Sequence, residues 1–221
     1  MNYSLERLLS RTPLYDLLTD RRLDRELYKW LENGRPCPPP HLVKQSVVKE
    51  YARQYRLGTL VETGTYLGFM IRATLRVFQR VYSVELDEVL HRRAARKFSR
   101  YKHITVLQGD SSTVLAKLLP SLHEPCLFWL DAHHSSGATF KTGKGNLLTP
   151  IVAELEQILA HSHAQQHVIL IDDAREFTGE NDYPTLSALR ELVLHLHPTF
   201  TMEVADDIIR IHRKQALPQQ Q

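Results

Sequence analysis

The chain has 221 residues, of which 43% are hydrophobic and 24% are charged, with 9 Gly and 11 Pro. This composition is ordinary for a globular protein and excludes a disordered chain, a collagen-like repeat and a small disulfide scaffold. The net charge of +3 is too slight to indicate a nucleic-acid-binding protein, which needs a clustered basic patch. No apolar run approaches the ~20 residues of a membrane-spanning helix, so we expect neither nucleic acid nor a membrane as a partner.

The N-terminal part of the chain is predicted to be helical. Apolar residues recur at helical spacing through residues 1–33, which predicts one or two amphipathic helices. The Pro-rich segment 34–40 ends that pattern, and a further helix is predicted over 41–56. We therefore expect residues 1–57 to form a helical cap that covers an active site or forms the interface of a homodimer.

From Gly58 onward, short apolar runs alternate with amphipathic helical patterns. The predicted strands lie at 60–62, 81–86, 104–108, 126–131 and 167–173, and the predicted helices near 69–79, 88–98, 112–122, 150–162 and 184–196. Such alternation is typical of right-handed βαβ units, and the continuous apolar runs predict strands that are buried on both faces. Two further segments, TFTMEVA and DIIRIHR, predict a C-terminal antiparallel hairpin.

The expected fold is therefore α/β: a Rossmann-like, doubly wound sheet that is mostly parallel and ends in an antiparallel hairpin. This domain is predicted to span 58–213. The remaining segment, 214–221, is rich in Gln and is predicted to be a disordered tail.

Ligands of open α/β sheets bind outside the carboxyl ends of the strands, so the residues at those ends are the candidates for a site. The first strand continues into Glu62-Thr63-Gly64-Thr65-Tyr66-Leu67-Gly68, where the glycines allow a sharp turn close to a ligand. The second strand ends in Glu85, at the spacing from Gly64 at which an acidic residue accepts from a pair of ribose hydroxyls. Asp110 and Ser111 follow the third strand, and Asp110 either accepts from an adenine amino group or caps the next helix.

The segments VETGTYLG, VYSVELD, LQGDSS and FWLDAH occur in this order, and with them residues 58–212 resemble the class I S-adenosylmethionine-dependent methyltransferases. The resemblance implies the seven-stranded fold of that family. It also implies the residues that bind S-adenosylmethionine: Glu62, Gly64, Thr65, Tyr66 and Gly68 around the methionine part, Glu85 at the ribose, Asp110 and Ser111 near the adenine, and Asp131. Many members have Gly at the position of Tyr66. The ExGxxxG form resembles most the metal-dependent small-molecule O-methyltransferases, including the macrocin O-methyltransferase-like enzymes.

The fourth and fifth predicted strands also end in carboxylates, Asp131 and the pair Asp172-Asp173. If these strands are neighbours, three like charges converge, and a cation would offset their repulsion. Hard oxygen ligands suit Mg²⁺, and the resemblance implies the same three ligands. In the alternative, one aspartate caps a helix, another pairs with Arg175, and no metal binds.

The candidates for catalysis are Asp131 together with His133 and His134, which lie where a histidine could take the proton of an acceptor hydroxyl. Either histidine could instead be an ordinary loop residue. The long Gly-, Ser-, Thr- and Lys-rich loop over 132–149 is predicted to be a binding lid or an insertion without a role. Phe128 and Trp129 are predicted to belong to the core.

These features predict a SAM-dependent methyltransferase that methylates a hydroxyl of a small molecule, a sugar or a secondary metabolite, with help from a divalent metal. One alternative is a divergent hydroxylase-like or non-catalytic SAM-binding protein on the same fold. Another is an interaction protein in which the three aspartates do not converge. The two cysteines lie in unlike contexts and are expected to be free thiols, which favours a cytoplasmic location.

Overall fold

The computed structural model describes residues 13–131 and 149–214, with side chains described from residue 21 onward. Seven strands form one sheet with the order β3-β2-β1-β4-β5-β7-β6. Their bounds are β1 Thr59–Thr63, β2 Arg80–Glu85, β3 Ile104–Gln108, β4 Cys126–Leu130, β5 Val168–Ile171, β6 Phe200–Ala205 and β7 Ile208–Arg213. The first five strands are parallel, β7 runs antiparallel to β5, and β6 pairs antiparallel with β7. The predicted doubly wound sheet and its terminal hairpin are confirmed.

Seven α-helices accompany the sheet within the described ranges: α1 Pro13–Glu32, α2 His41–Gln54, α3 Phe69–Thr74, α4 Glu88–Phe98, α5 Ser111–Leu118, α6 Ile151–Leu159 and α7 Leu186–Leu196. Short 3-10 turns occupy Leu119–Ser121, Ala164–Gln166 and Ala174–Glu176. Helix α3 is shorter than the predicted 69–79. It ends at Thr74, and the chain then turns so that the amide of Gln79 can donate to the carbonyl of Gly58 at 2.8 Å. This contact starts β2 beside β1.

The hydrophobic core lies on both faces of the sheet, and the side chains of β4 show the division. Leu127 and Trp129 face a cluster that includes Val48 of α2, whereas Phe128 and Leu130 face a cluster that includes Leu155 of α6. The core positions predicted for Phe128 and Trp129 are confirmed. Strand β3 differs from the expectation of burial on both faces, because it is an edge strand and its side chains are only partly covered.

The direction of winding reverses between β1 and β4. From β1 the chain proceeds outward to β2 and β3, and then crosses back to add β4 and β5 on the other side of β1. The carboxyl ends of β1 and β4 therefore flank the crevice in which sheets of this class bind their ligands. Of the helices that the structure describes, none is both long and apolar enough to cross a membrane.

Candidate active site

The loop from Gly64 to Gly68 connects β1 to α3 and is held against β2. The amides of Gly64 and Thr65 both donate to the carbonyl of Val84, at 3.0 and 3.1 Å. Gly64, Tyr66 and Gly68 all have positive φ, at 89°, 48° and 71°. The backbone thus turns sharply at the carboxyl end of β1, as the two glycines predicted.

Glu62 lies beneath this loop with its carboxyl group buried. It faces Ser83 across the β1–β2 register, and the hydroxyl of Ser83 donates to it. Burial raises the pKa of Glu62 to about 8; the hydrogen bond from Ser83 opposes this shift, and the charges of Asp131 and Glu85 add to it. Glu62 is therefore mostly protonated at neutral pH, and its buried carboxyl group places no negative charge next to the loop.

Glu85, at the end of β2, uses both carboxylate oxygens to hold backbone amides. One oxygen accepts from the amide of Tyr66 at 2.7 Å and the other from that of Asp87 at 2.9 Å. Burial raises the pKa of Glu85, and these two backbone hydrogen bonds oppose the shift. Glu85 thus fixes the loop that was predicted to surround the cofactor, and its contact with a ribose stays a prediction.

Asp110 caps helix α5, which is one of its two predicted roles. Its carboxylate accepts from the amide of Thr113 at 3.2 Å and from the hydroxyl of Ser112. Ser111, the first residue of α5, is buried. The adenine contact of these residues stays a prediction.

Glu154 of α6 is a buried carboxyl group at this edge that the sequence did not single out. It is fully buried next to the hydroxyls of Ser111 and Thr63. Burial raises the pKa of Glu154 to about 7, and the two hydroxyls oppose that shift. A second neutral or half-ionised carboxyl group therefore lies beneath the end of β1.

The three predicted aspartates meet at the carboxyl ends of β4 and β5. The amide of Asp131 donates to the carbonyl of Thr63, and that of Asp172 donates to the carbonyl of Leu130, both at 3.0 Å. The two strand ends are thus in register, and carboxylate oxygens from Asp131, Asp172 and Asp173 lie within 4.8 Å of one another. Burial and the nearby charge of Asp131 raise the pKa of Asp172 well above its ordinary value. We call these three residues the acidic triad.

Lys44 of α2 supplies a positive charge to the acidic triad. Its Nζ lies 2.5 Å from Oδ2 of Asp172 and 3.2 Å from Oδ1 of Asp173. Burial alone would lower the pKa of Lys44, but the carboxylates outweigh this effect and raise the pKa above its ordinary value. The ammonium group of Lys44 is therefore charged, and it forms ion pairs with two of the three carboxylates, those of Asp172 and Asp173.

Arg175 supplies a second positive charge. Its Nη1 lies 2.9 Å from Oδ1 of Asp173 and also pairs with Asp207, in the turn between β6 and β7. The pairing of one aspartate with Arg175, which was part of the alternative without a metal, is thus observed. It ties the terminal hairpin to the end of β5.

His41 lies one helical turn before Lys44 and also reaches this region. Its ring packs edge-on against Phe69 with centroids 5.6 Å apart, and its buried Nε2 has no hydrogen-bond partner among the described residues. Burial lowers the pKa of His41 to about 4, although the charge of Asp131 opposes the shift. The imidazole is therefore neutral at physiological pH.

The sequence predicted helix α2 but not that its first turn contributes to the site. His41 and Lys44 lie three positions apart in a helix that also carries polar residues such as Gln45, Ser46 and Lys49, so their spacing did not distinguish them as site residues. The predicted histidines His133 and His134, and most of the loop 132–149, lie outside the described residues.

Comparison with models of protein families finds no match, and neither does comparison with curated protein sequences. Solved structures do match. The O-methyltransferase from Bacillus cereus in complex with SAH has a TM-score of 0.58 and 16% identity, over 96% of this chain and 97% of that chain. The O-methyltransferase TomG from Streptomyces achromogenes, involved in tomaymycin synthesis and solved with SAM, has a TM-score of 0.55 and 14% identity, over 87% and 89%. A putative caffeoyl-CoA O-methyltransferase from Staphylococcus aureus has a TM-score of 0.54 and 12% identity, over 93% and 100%.

At these identities the likeness establishes the fold. The chain has the class I methyltransferase fold that the motifs implied.

Proposed function

We propose that this protein is an S-adenosylmethionine-dependent O-methyltransferase that acts on a hydroxyl of a small molecule. One observation carries the proposal: a glycine turn held by Glu85 and a cluster of three aspartates meet at the crevice between β1 and β4. The fold comparison adds support, since the matched structures include O-methyltransferases solved with SAH or SAM. These two matches cover 96% and 87% of this chain.

S-adenosylmethionine, when bound, supplies the methyl group as part of a sulfonium ion. We assign the turn from Glu62 to Gly68, with Thr65 and Tyr66, to its methionine part, Glu85 to the ribose, and Asp110 with Ser111 to the adenine. The protonated Glu62 adds no negative charge beneath the turn, whereas Glu85 holds the turn in place through the amide of Tyr66. The main contribution of the loop is to fix the donor in position for transfer.

The acceptor hydroxyl is proposed to lie at the acidic triad. Asp131 follows directly on the β1–β4 pairing, so that its carboxylate belongs to the same crevice as the turn. A carboxylate here can accept the hydroxyl proton while the oxygen attacks the methyl carbon in line with the departing sulfur. His133 and His134 are the further proposed acceptors of this proton.

The acidic triad suits a divalent cation in the chemistry of its donors. Three hard carboxylate oxygens lie close enough together to share one ion, and we propose that Asp131, Asp172 and Asp173 would hold Mg²⁺. When bound, the ion would lower the pKa of a coordinated hydroxyl. The ion pairs of Lys44 with two of these residues show that the site also accommodates an internal cation.

The first turn of α2 reaches the acidic triad, which supports a covering role for residues 1–57 over the SAM-binding domain proposed for 58–213. Tyr28 and Leu31 of α1 are exposed and support the proposed homodimer.

The free thiols of Cys37 and Cys126 support the proposed cytoplasmic location. The TomG and caffeoyl-CoA enzymes among the structural neighbours support a secondary metabolite as acceptor.

Calorimetric titration with SAH tests the cofactor site directly. We expect saturable binding to the wild-type protein and at least tenfold weaker binding to Glu85→Ala, because the turn loses the anchor of the Tyr66 amide. Glu88→Ala is the matched control, since Glu88 is an exposed acidic residue on the adjacent helix that pairs only with Arg92 among the described contacts. Its affinity should equal that of the wild type.

An absence of heat with wild-type protein at high concentration would refute the proposed function. Where SAH binds, mass spectrometry of a panel of sugars and phenolic metabolites incubated with SAM tests the transfer, with a mass gain of one methyl group expected. Binding without any methylated product across broad panels would favour the non-catalytic alternative.

A further inference from the structure

Lys44 belongs to helix α2 and not to the sheet, yet its side chain reaches the carboxylates of Asp172 and Asp173 at the sheet edge. Helix α2 is fixed to the core by Val47, Val48 and Tyr51, so the backbone of Lys44 cannot easily withdraw. The Lys44 side chain is 13% exposed, and the side chains of Asp172 and Asp173 are 2% and 5% exposed. The ammonium is therefore enclosed together with the carboxylates that it contacts.

The ammonium takes the oxygens that a metal ion would need. Oδ2 of Asp172 accepts from Lys44, while Oδ1 of the same residue accepts from the amide of Asp173 at 2.9 Å. Oδ1 of Asp173 accepts from both Lys44 and Arg175. A divalent cation binds carboxylate oxygens at about 2.0–2.6 Å, so an ion on these oxygens would lie in nearly the same place as Nζ.

The two cations also exclude each other by charge. A divalent ion within a few ångströms of an ammonium is strongly repelled in an enclosed site, because little water screens the interaction. Arg175 already pairs with one of the three carboxylates, that of Asp173, so the negative charge that remains in the acidic triad can balance one further cation but not two. Occupation by the metal therefore requires that the Lys44 side chain leave Asp172 and Asp173.

We propose that the ammonium of Lys44 and a divalent metal ion are alternative, mutually exclusive occupants of the acidic triad, and that Lys44 sets how weakly the metal binds. This inference rests on the metal site of the proposed function and adds an internal competitor to it. The acidic triad then keeps a balancing cation whether or not metal is present. Metal binding would also change the contacts of helix α2, because that helix carries Lys44.

The test is a titration of the full chain with Mn²⁺, in which free Mn²⁺ is followed by electron paramagnetic resonance and no SAH is present. We expect Lys44→Gln to bind Mn²⁺ at least tenfold more tightly than the wild type. Lys44→Arg keeps the charge and should bind no more tightly than the wild type. Lys49→Gln removes a partly buried lysine from the same helix, away from the acidic triad, and should match the wild type.

A second substitution locates the ion. Asp172→Asn in the Lys44→Gln protein should abolish the gain in affinity, because it removes a proposed ligand. A Lys44→Gln protein that binds Mn²⁺ within twofold of the wild type, or that keeps its gain after Asp172→Asn, overturns the proposal. If Lys44→Gln does not fold, the ¹³Cε signal of Lys44 in the wild-type protein carries the test: it should shift on saturation with Mg²⁺, and an unchanged signal overturns the proposal.

The titration with SAH keeps this inference separate from the proposed function. Tighter Mn²⁺ binding by Lys44→Gln in a protein that does not bind SAH supports the competition and refutes the methyltransferase. SAH binding together with unchanged Mn²⁺ affinity supports the methyltransferase and refutes the competition.

Discussion

Gly68 is the residue at which the turn after β1 passes into α3, and two independent constraints require glycine there. Its φ is +71°, in the left-handed region that side chains disfavour. A Cβ atom at this position would lie 2.5 Å from Cε2 of Phe98 in α4. The turn is therefore packed against the helix that follows β2, which links the loop of the proposed cofactor site to the core.

We expect Gly68→Ala to destabilise the protein by more than backbone strain alone. A left-handed conformation costs a non-glycine residue about 1–3 kcal/mol, and overpacking against Phe98 adds a further cost on the order of 1–3 kcal/mol. Binding of SAH should weaken with it, because relief of the clash moves the turn. Urea unfolding and calorimetry measure the two effects.

Gly34 offers the matched control for this substitution. Its φ is +77°, yet nothing lies within 4 Å of the position that a Cβ would take. Gly34→Ala should therefore show only the cost of backbone strain and leave SAH affinity unchanged. Equal losses of stability in the two variants would show that the contact with Phe98 is unimportant.

Residues at strand ends could be predicted from the sequence, whereas a residue brought to the site by helix packing could not. The sequence could single out Glu62, Glu85 and the acidic triad as candidates because strand ends are visible in the sequence, and the topology brings those ends to one edge of the sheet. Lys44 was not found, because its partner Asp172 lies 128 positions away and only the packing of α2 brings the two together. No pattern local to α2 indicates that contact.

Helix α2 is part of the hydrophobic core of the sheet as well as part of the N-terminal segment. It was expected to be part of a cap, but its buried face shares one cluster with Leu127 and Trp129 of the central strand β4. The boundary at residue 57 stays a prediction. The packing nevertheless predicts that α2 unfolds together with the sheet.

We expect Val48→Ala to lower the free energy of unfolding by roughly 2 kcal/mol, since it removes two buried methyl groups and leaves a cavity. Val48 is 0% exposed. Tyr28→Ala in α1 is the comparison, because Tyr28 is 69% exposed and its loss should change stability by no more than about 0.5 kcal/mol. Hydrogen exchange should show α2 amides as protected as those of β4, and early exchange of α2 as a separate unit would contradict its place in the core.

The elements themselves were largely predictable, for a physical reason. The continuous apolar runs of β1, β2, β4 and β5 indicate strands covered on both faces, and the structure buries every residue of β1, β4 and β5 and all of β2 except Arg80 and Tyr82. The end of α3 was not predictable, because it depends on the contact of Gln79 with Gly58 across the sheet. The partial exposure of β3 likewise depends on strand order rather than on the run itself.

At the scale of the whole molecule, buried ionisable groups lie at both ends of the sheet and respond to pH with opposite sign. Glu62 lies where the carboxyl ends of the strands meet, and its pKa in the folded protein is about 8, above the value in the unfolded chain. The stability that Glu62 contributes to the fold therefore falls as pH rises towards 8. His167 lies at the opposite edge, directly before β5, where its Nδ1 accepts from the amide of Cys126 at 3.1 Å. Burial, with the charges of His161 and His163, lowers the pKa of His167 to about 3.

His167 therefore makes the fold sensitive to acid. Its folded pKa of about 3 lies below the ordinary value of 6.5, so its contribution is fully present above pH 6.5 and is lost as pH falls towards 3. Protonation would place an N–H opposite the donating amide of Cys126. Across this window one proton changes the free energy of unfolding by about 1.4 kcal/mol per pH unit.

We expect His167→Asn to flatten the acid side of the stability profile. The Asn oxygen can still accept from the amide of Cys126, but the group no longer titrates, so the slope between pH 6.5 and 4 should decrease by about 1.4 kcal/mol per pH unit. The variant should be less stable than the wild type at pH 7, because it loses the edge-on contact with Phe128 at 5.0 Å. Urea unfolding at pH 4, 5, 6 and 7 gives both slopes, and Glu62, present in both proteins, cancels from their difference. His195→Asn, at an exposed position in α7, should keep the wild-type slope; an unchanged slope in His167→Asn would show instead that this imidazole does not govern acid unfolding.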